Sequence, residues 1–366
     1  MSPAGQPGDD RGITVKRDAS GNAFVTGDNN SVKVVIYQSV SERREPEEPA
    51  SAELGPNPYM GLLAFHEEDA DRFFGRERQI TRLWEKLRDL HQDSSQRSAT
   101  PRLLPILGPS GSGKSSVARA GLIPELARRP LPGWRDARVA VLTPGSHPVE
   151  TLAGMLARIA TGDAVPVAKT AEFEQVLRQK RDNGHNDGLR RIAAALPDIA
   201  SSPLVVLVDQ FEEIYSLCDD KQERTVFIEN LLHAASDVGG RASVVITLRT
   251  DFLSETQTHE VLNRLICEQQ VMIPALNEEE LREVIAKPAA LAGHPLDDAT
   301  ITLLVNDAKD REGALPLLQF ALTRIWDGLT QGIEPTDTYQ TIGGVGGALA
   351  GEAQRIYGSS GLSVLW

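Results

Sequence analysis

The sequence predicts a doubly wound α/β domain on a parallel sheet, followed by a compact helical domain and preceded by a small β-rich segment. Short apolar runs alternate with helical patterns from Arg102 to Leu248, which is typical of strands and crossover helices in a parallel sheet. After about Asn277 the apolar runs end and amphipathic helical patterns continue. A chain of 366 residues is long enough for two or three such domains.

The composition is that of a globular protein and argues against several classes of function. The chain is 40% hydrophobic and 24% charged. Its 51 acidic and 38 basic residues give a net charge of −13, which disfavours nucleic acid as a partner. The two cysteines, Cys218 and Cys267, exclude a disulfide framework and a cysteine-rich zinc site, and both are expected to be reduced, buried thiols. No apolar run approaches the ~18 residues of a membrane span and no signal peptide is evident, so we expect a cytoplasmic protein without a membrane partner.

Residues 1–38 form the predicted β-rich segment. Its three β-type runs are separated by turn-forming residues and lie at Ile13–Val15, Ala23–Thr26 and Val32–Tyr37. Such a meander is too small to be stable alone, so we expect it to pack on a partner or on copies of itself. Residues 39–56, rich in Glu, Pro and Ser, are predicted to be an exposed linker.

Residues 57–276 form the predicted α/β domain and residues 277–340 the helical domain. A first helix runs to about Leu90, with apolar residues at helical spacing from Ile80 to Leu87. Strands are predicted at Arg102–Leu107, Val139–Thr143, Leu204–Val208 and Ser243–Leu248. Helices are predicted at Lys114–Arg128, within residues 149–200, and at Glu278–Leu291, Asp298–Ala308 and Leu315–Leu329. Residues 341–366 are a glycine-rich tail.

The loop after the first strand has the pattern of a phosphate-binding loop, G-x-x-x-x-G-K-[ST]. It consists of Gly108, Pro109, Ser110, Gly111, Ser112, Gly113, Lys114 and Ser115, followed by Ser116. Glycines let backbone N–H groups turn towards phosphate oxygens, and the next helix directs its positive end at the same anion. Lys114 would reach the β- and γ-phosphates and Ser115 would ligate Mg²⁺, so ATP or ADP with Mg²⁺ is the predicted ligand.

Pro105 does not fit a regular strand before this loop. Proline has no N–H to donate to a neighbouring strand. A bulge at Pro105, or an early start of the strand, is therefore expected.

The second metal ligand is predicted at the end of another buried strand. Asp209 directly follows Leu204–Val208 and would hold the magnesium ion or its waters. Many ATPases place a water-polarising glutamate next, where this chain has Gln210. Glu212 or Glu213 would orient the attacking water, or both would complement the dipole of a helix that begins there. With Gln210 in place of that glutamate, slow hydrolysis or tight retention of nucleotide is an expected possibility.

Arg249 ends a further predicted strand. In a parallel sheet the carboxyl ends of the strands line the ligand crevice, so Arg249 would sense the γ-phosphate. The alternative is a surface salt bridge with Asp251.

Together these residues resemble the novel STAND NTPases, regulatory relatives of the AAA+ ATPases. Six stretches in the family's order carry the resemblance: Asn57–Leu62, Asp69–Glu77, Gly108–Leu122, Asp209–Glu213, Arg249–Phe252 and Gly313–Leu317. The resemblance implies that Arg76 lies beside the nucleotide base and that Pro316 contacts nucleotide in a closed state. It also implies an ATP-driven signalling or defence switch that assembles as a homo-oligomer or acts on protein partners in trans.

Three interpretations compete with the switch, and one of them, a small-molecule kinase, needs an acceptor site that we do not find in the sequence. Gln210 is compatible with a nucleotide-binding scaffold that does not hydrolyse ATP. A DNA-acting motor or loader would use the same fold, although the net charge argues against it. The family usually continues into a winged-helix segment, so residues 341–366 are either a tail or the truncated start of that segment.

Overall fold

The computed structural model describes residues 33–35, 54–93 and 100–348, except residues 183, 238, 240, 310 and 312. Its sheet has the strand order β1-β3-β4-β5-β2-β6. The strands are β1 (Lys33–Val35), β2 (Leu103–Gly108), β3 (Arg138–Leu142), β4 (Leu204–Val208), β5 (Ala242–Arg249) and β6 (Val271–Met272). Strands β2 to β6 pair in parallel, which confirms the predicted doubly wound α/β fold.

The N-terminal strand β1 closes one edge of this sheet. It pairs antiparallel with β3, with Lys33 opposite Val141 and Val35 opposite Val139. It lies within the third predicted run, Val32–Tyr37, whereas the other two runs and most of the predicted linker are outside the described residues. The partner of this strand is therefore the α/β domain itself.

The expectation of a bulge at Pro105 is wrong. Strand β2 keeps an unbroken register with β5 from Leu103 to Gly108. The Arg102 carbonyl accepts from Val244 and the Leu107 carbonyl accepts from Ile273, so the odd-numbered residues of β2 face β6. Strand β6 begins only at Val271, opposite Ile106, so the Pro105 nitrogen faces a stretch that has no strand to bond.

Helices cover both faces of the sheet and form a separate bundle after it. Helix α2 is continuous and consists of Lys114–Ser116, a π-helical segment Val117–Leu122, and Ile123–Arg128. The other helices of the α/β part are α1 (Glu77–Asp93), α3 (Pro148–Thr161), α4 (Val167–Arg178), α5 (Gly188–Ala195), α6 (Glu213–Ser216), α7 (Lys221–Ala235), α8 (Leu253–Thr256) and α9 (Glu260–Gln269). The bundle contains α10 (Glu278–Leu291), α11 (Asp298–Ala308), α12 (Ala314–Thr330) and α13 (Pro335–Thr341). Short 3-10 helices lie at Glu67–Arg72 and Thr250–Phe252.

Two apolar cores lie on opposite faces of the sheet. In β4, Val206 and Val208 belong to the core under α3, α5 and α7, whereas Val205 and Leu207 belong to the core under α1 and α2. This alternation buries both faces of the strand, which explains its continuous apolar sequence.

The third core belongs to the helical bundle and includes part of the N-terminal chain. Tyr59 packs with Ile285 and Trp326, and its hydroxyl donates to the Ile285 carbonyl at 2.6 Å. Asn57 Nδ2 donates to the Thr323 carbonyl. Residues 57–59, which precede the 3-10 helix Glu67–Arg72, therefore contact the helical bundle. The predicted boundary at residue 57 instead groups them with the α/β domain.

The two thiols differ in exposure. Cys218 is buried, as expected, but Cys267 is exposed on α9, so the expectation of two buried thiols is wrong for Cys267. Among the described residues, no helix combines the length and apolar character needed to cross a membrane.

Candidate functional site

The phosphate-binding loop connects β2 to α2 at the edge where the parallel strands end. Strand β2 lies between β5 and β6, and the chain leaves it to reach β3, two strands beyond β5. Open α/β sheets bind ligands at such a point. Gly111 and Gly113 adopt φ values of 72° and 85°, which turn the backbone as a phosphate cradle requires.

The loop also needs glycine at its first position. A methyl group on Gly108 would lie 2.7 Å from Ser112 Oγ and 2.9 Å from the Ile273 carbonyl oxygen. Pro109 and Ser110 are exposed on the outside of the turn. Lys114 is 8% exposed, and its Nζ donates to the Pro109 carbonyl at 2.7 Å. Burial lowers the pKa of Lys114, and the charge of Glu212 opposes that shift.

Ser115 and Asp209 meet as the sequence predicts. Ser115 Oγ donates to Asp209 Oδ1 at 2.7 Å, across 94 residues of chain. Asp209 is buried at the end of β4. A hydroxyl and a carboxylate at hydrogen-bond distance provide the hard oxygen ligands that Mg²⁺ prefers, so the residues present fit this ion.

Thr247 on β5 completes this arrangement and was missed in the sequence. Its hydroxyl donates to Asp209 Oδ1 at 2.6 Å and accepts from the Gln210 backbone N–H at 2.8 Å. Gln210 has a φ of 55°, a strained value for a residue other than glycine. The available signal was a hydroxyl near the carboxyl end of the apolar strand Ala242–Arg249, which also contains Ser243 near its start.

The two glutamates after Asp209 have different surroundings. Glu212 is 9% exposed, its Oε2 accepts from the Arg249 backbone N–H at 3.3 Å, and its charge acts on Lys114. Glu213 Oε2 instead accepts from Gly145 N–H at 3.0 Å, on the loop after β3. Burial raises the pKa of both carboxyls. Glu212 is therefore the better placed of the two to act beside the phosphates.

Arg249 forms the salt bridge that was the alternative to γ-phosphate sensing. Its Nη2 lies 2.5 Å from Asp251 Oδ2, and both side chains are more than a third exposed. The hydrogen bond with Asp251 raises the pKa of Arg249 and lowers that of Asp251. A role for Arg249 as a sensor stays a prediction.

The helical bundle touches the phosphate-binding loop at the predicted glycine–proline motif. A methyl group on Gly111 would lie 3.3 Å from Gly313 Cα and 3.3 Å from Pro316 Cδ. A methyl group on Gly113 would lie 3.3 Å from Leu315 Cδ2. The start of α12 therefore packs directly against the loop that would hold the phosphates.

A cavity of about 200 Å³ lies between these two parts of the molecule. Lys114 and Ser115 line one end and Pro316 lies in its wall. Its apolar lining includes Leu62, Leu63, Phe65, Phe73, Phe74, Leu276, Val284, Pro288 and Leu315. An apolar chamber next to a phosphate cradle suits a nucleotide base and sugar.

Arg76 and Ser116 position the walls of this cavity. The buried Arg76 donates from Nη2 to the Ser112 carbonyl at 2.8 Å and lines the cavity. Ser116 Oγ accepts from the Phe65 N–H at 3.1 Å, which ties the segment before the 3-10 helix to α2. Sequence reasoning gave no role to the wall formed by residues 61–65, although the stretch Asn57–Leu62 is one of those that carry the family resemblance.

The fold recurs in proteins of known structure. The structure of Aeropyrum pernix ORC1 in complex with DNA aligns with this chain at a TM-score of 0.52 and 14% identity. The alignment covers 83% of this chain and 72% of that one. Drosophila ORC bound to DNA gives a TM-score of 0.50 at 14% identity, covering 83% and 70%. Aeropyrum pernix ORC2, in ADPNP-ADP complexes, gives 0.51 at 16% identity, covering 73% and 68%. At these identities the likeness concerns the fold alone.

Comparison with families is more specific. A search among curated proteins gives no match. The model of the family described as novel STAND NTPase 1 matches residues 58–363, which include the phosphate-binding loop, Asp209, Arg249 and the glycine–proline motif. Because this match spans most of the sequence, the chain belongs to the novel STAND NTPase 1 family, as the motifs in its sequence predict.

Proposed function

We propose that this NTPase is a regulatory switch that binds ATP or ADP with Mg²⁺, hydrolyses ATP weakly, and couples the bound nucleotide to domain rearrangement and assembly in signalling or defence. The observation that carries the proposal is the close approach of Gly313 and Pro316 to Gly111, which leaves little room for a side chain there. A nucleotide in the adjoining cavity would touch both the α/β part and the helical bundle. Its presence would therefore favour one arrangement of the two parts over another.

The residues of the site divide the work on MgATP. Lys114 and the loop N–H groups would hold the phosphates. Arg76 and Pro316 would line the cavity of about 200 Å³ that takes the base and sugar, which we call the nucleotide cavity. Ser115 and Asp209 would hold Mg²⁺, which when bound withdraws charge from the β- and γ-phosphates. Thr247 keeps Asp209 oriented.

Weak hydrolysis follows from the residue that would accept the proton of the attacking water. Gln210, next to Asp209, has an amide that cannot take a proton. Of the carboxylates whose charge acts on Lys114, Glu212 has the largest effect, and we assign it the role of general base. Its carboxylate already accepts a backbone hydrogen bond from Arg249, which we expect to make it a slow base.

The nucleotide bound after purification tests the switch. The full chain is denatured and the released nucleotide is identified, alongside Lys114→Ala and the matched surface control Lys180→Ala. Co-purified ADP in the wild type and the control, but not in Lys114→Ala, is the expected result. Absence of nucleotide from all three, with no MgATP binding on titration, would refute the proposal.

Gln210 favours a second candidate, a scaffold that binds nucleotide without hydrolysing it. This candidate predicts co-purified ATP rather than ADP. Multiple-turnover release of phosphate that disappears in Lys114→Ala would exclude the scaffold.

The partners in this proposal are further copies of the chain or other proteins in the cytoplasm, rather than nucleic acid. Two of the similar structures, of ORC proteins, are bound to DNA, which makes a DNA-acting role the main competitor. The net charge of −13 argues against it. Stimulation of ATPase activity by DNA at low salt would overturn this part of the proposal.

Assembly is tested on the N-terminal segment. Because β1 adds to the sheet edge at β3, we propose that residues 1–45 influence how copies associate. Light scattering on the full chain and on a variant without residues 1–45 measures the effect. An unchanged mass would refute this role.

A further inference from the structure

Gln319 is the one amide side chain among the described residues that line the nucleotide cavity. It lies on α12, three residues after Pro316, and therefore one helical turn, about 4.5 Å, farther along the helix from the phosphate-binding loop. Lys114 and Ser115 line the cavity at the loop itself. Gln319 thus borders the part of the cavity that would take the base rather than the phosphates.

The oxygen of this amide already has a partner. Gln319 Oε1 accepts from the Met60 backbone N–H at 3.3 Å. Met60 directly follows Tyr59, whose hydroxyl donates to the Ile285 carbonyl of the helical bundle, so the donor and the glutamine belong to one packed unit. An amide turned by 180° would place its NH₂ group against the Met60 N–H, which is also a donor. The hydrogen bond from Met60 therefore fixes which side of the amide carries the oxygen.

The nitrogen of this amide is free to bind a ligand. Gln319 is only 5% exposed, and its Nε2 has no hydrogen-bond partner among the described residues, yet this atom keeps accessible surface. The neighbouring wall is apolar, with Val284 and Leu315 as examples, and their side chains offer no acceptor. A largely buried donor without an acceptor is costly, so a base with an acceptor at this point would be favoured.

We propose that Gln319 selects adenine over bases that carry a carbonyl oxygen at position 6. In the orientation that Met60 fixes, the amide offers a donor at Nε2 and the second lone pair of Oε1 as an acceptor. Adenine has the matching pair, a ring nitrogen that accepts beside an N6 amine that donates, and glutamine commonly pairs with it in this way.

A base of the guanine type does not match this amide. It has an oxygen where adenine has the amine, so two acceptors would face each other at Oε1. The glutamine cannot turn to suit that base without losing its bond to Met60. This inference rests on the proposed binding of nucleotide and adds the residue that chooses the base.

Calorimetric titration of the full chain with MgATP and with MgITP tests the selection, because ITP carries a carbonyl oxygen at position 6 in place of the amine. The wild type is expected to prefer ATP by about tenfold or more. Gln319→Met, which keeps the length of the side chain but removes the amide, should lower the affinity for ATP by about tenfold and that for ITP by about twofold at most. Gln331→Met is the matched control, because Gln331 is an exposed glutamine at the end of the same helix, and it should keep the wild-type preference.

Gln319→Glu separates recognition of the base from support of the wall. It keeps an acceptor for the Met60 N–H but has no donor in place of Nε2. Its charge would repel the phosphates of both nucleotides equally, so the ratio of the two affinities isolates the base, and this ratio should also fall towards one.

Two results would overturn the selection: equal affinities of the wild type for ATP and ITP, or equal losses for both nucleotides in the two Gln319 variants. The second result would show that Gln319 only supports the cavity wall. Failure of the proposed function looks different, because the wild type would then bind neither nucleotide, and the selection would be refuted with it.

Discussion

Gly75 allows the segment Phe73–Arg76 to approach the helical bundle, and replacing it tests whether that approach forms the nucleotide cavity. Gly75 has a φ of 76° and is buried. A methyl group there would lie 2.7 Å from the Glu280 carbonyl oxygen and 2.8 Å from Val284 Cγ2. Because a backbone oxygen on α10 cannot move aside cheaply, we expect Gly75→Ala to push the bundle away from the α/β part.

The size of the effect follows from two costs. Alanine in the left-handed region costs about 1–2 kcal/mol, and overpacking adds about 1–3 kcal/mol. Gly162→Ala is the matched control, because Gly162 has a φ of 70° but no atom within 4 Å of an added methyl group. We therefore expect Gly75→Ala to destabilise the chain by about 2–5 kcal/mol and Gly162→Ala by about 1–2 kcal/mol.

Urea unfolding, followed by circular dichroism, measures both variants, and titration with MgATP measures their affinity. Gly75→Ala should lose about tenfold or more in affinity, which corresponds to about 1.4 kcal/mol, and Gly162→Ala should lose none. If the two variants have the same stability and the same affinity, the close approach at Gly75 does not form the nucleotide cavity and the reasoning fails.

Four further predictions concern the carboxylates of the site and the Thr247 hydroxyl beside Asp209. Glu212→Gln should abolish phosphate release while MgATP still binds, and Glu213→Gln should leave more than half of the rate; equal losses would reject Glu212 as the base. Because burial raises the pKa of Glu212, the wild-type rate should fall on acidification at a higher pH than for an ordinary glutamate. The same raised pKa means that Glu212 binds more protons in the native state than in the unfolded chain, so the stability of the wild type falls as pH rises. In urea unfolding, Glu212→Gln should therefore be more stable relative to the wild type at pH 8 than at pH 5. A difference between the two proteins that does not change with pH would contradict the raised pKa. Thr247→Val should weaken Mg²⁺ dependence of nucleotide binding, with rescue by Thr247→Ser; a Val variant with normal Mg²⁺ affinity would show that Thr247 does not orient Asp209.

Elements with a long, regular pattern were predictable, and contacts across the fold were not. Strand Leu204–Val208 and helices Glu278–Leu291 and Asp298–Ala308 end where the patterns in the sequence end, because turn or capping residues flank each of them. Strand β6, at Val271–Met272, has two residues and thus no pattern to detect. Its position also explains Pro105, which the sequence alone makes look like a defect.

The site divides in the same way. The phosphate-binding loop and Asp209 follow from local chemistry, since each is a short motif at the end of an apolar strand. The hydroxyl of Thr247 lies 38 residues from Asp209, and its role depends on β5 being the neighbour of β4. Glu212 and Glu213 are adjacent in the chain and have the same residue type, so the sequence does not distinguish their roles. Their hydrogen-bond partners in the structure, the N–H groups of Arg249 and Gly145, do distinguish them.

In the proposed switch, the helical bundle would contact the base and sugar of the nucleotide, and residues at the end of the sheet would contact its γ-phosphate. The helical bundle lies close to the phosphate-binding loop at Gly111 and lines the nucleotide cavity, so the bundle would respond to whether any nucleotide is bound. Arg249 and Glu212 lie at the end of the sheet, so they would respond to the γ-phosphate. To move the domains from 1:99 to 99:1 a ligand needs about 5.5 kcal/mol of differential binding. ADP and ATP share the base and sugar, so any difference between their effects must come from the γ-phosphate. That difference would reach the bundle through the phosphate-binding loop, where Gly111 and Gly113 lie close to the start of α12.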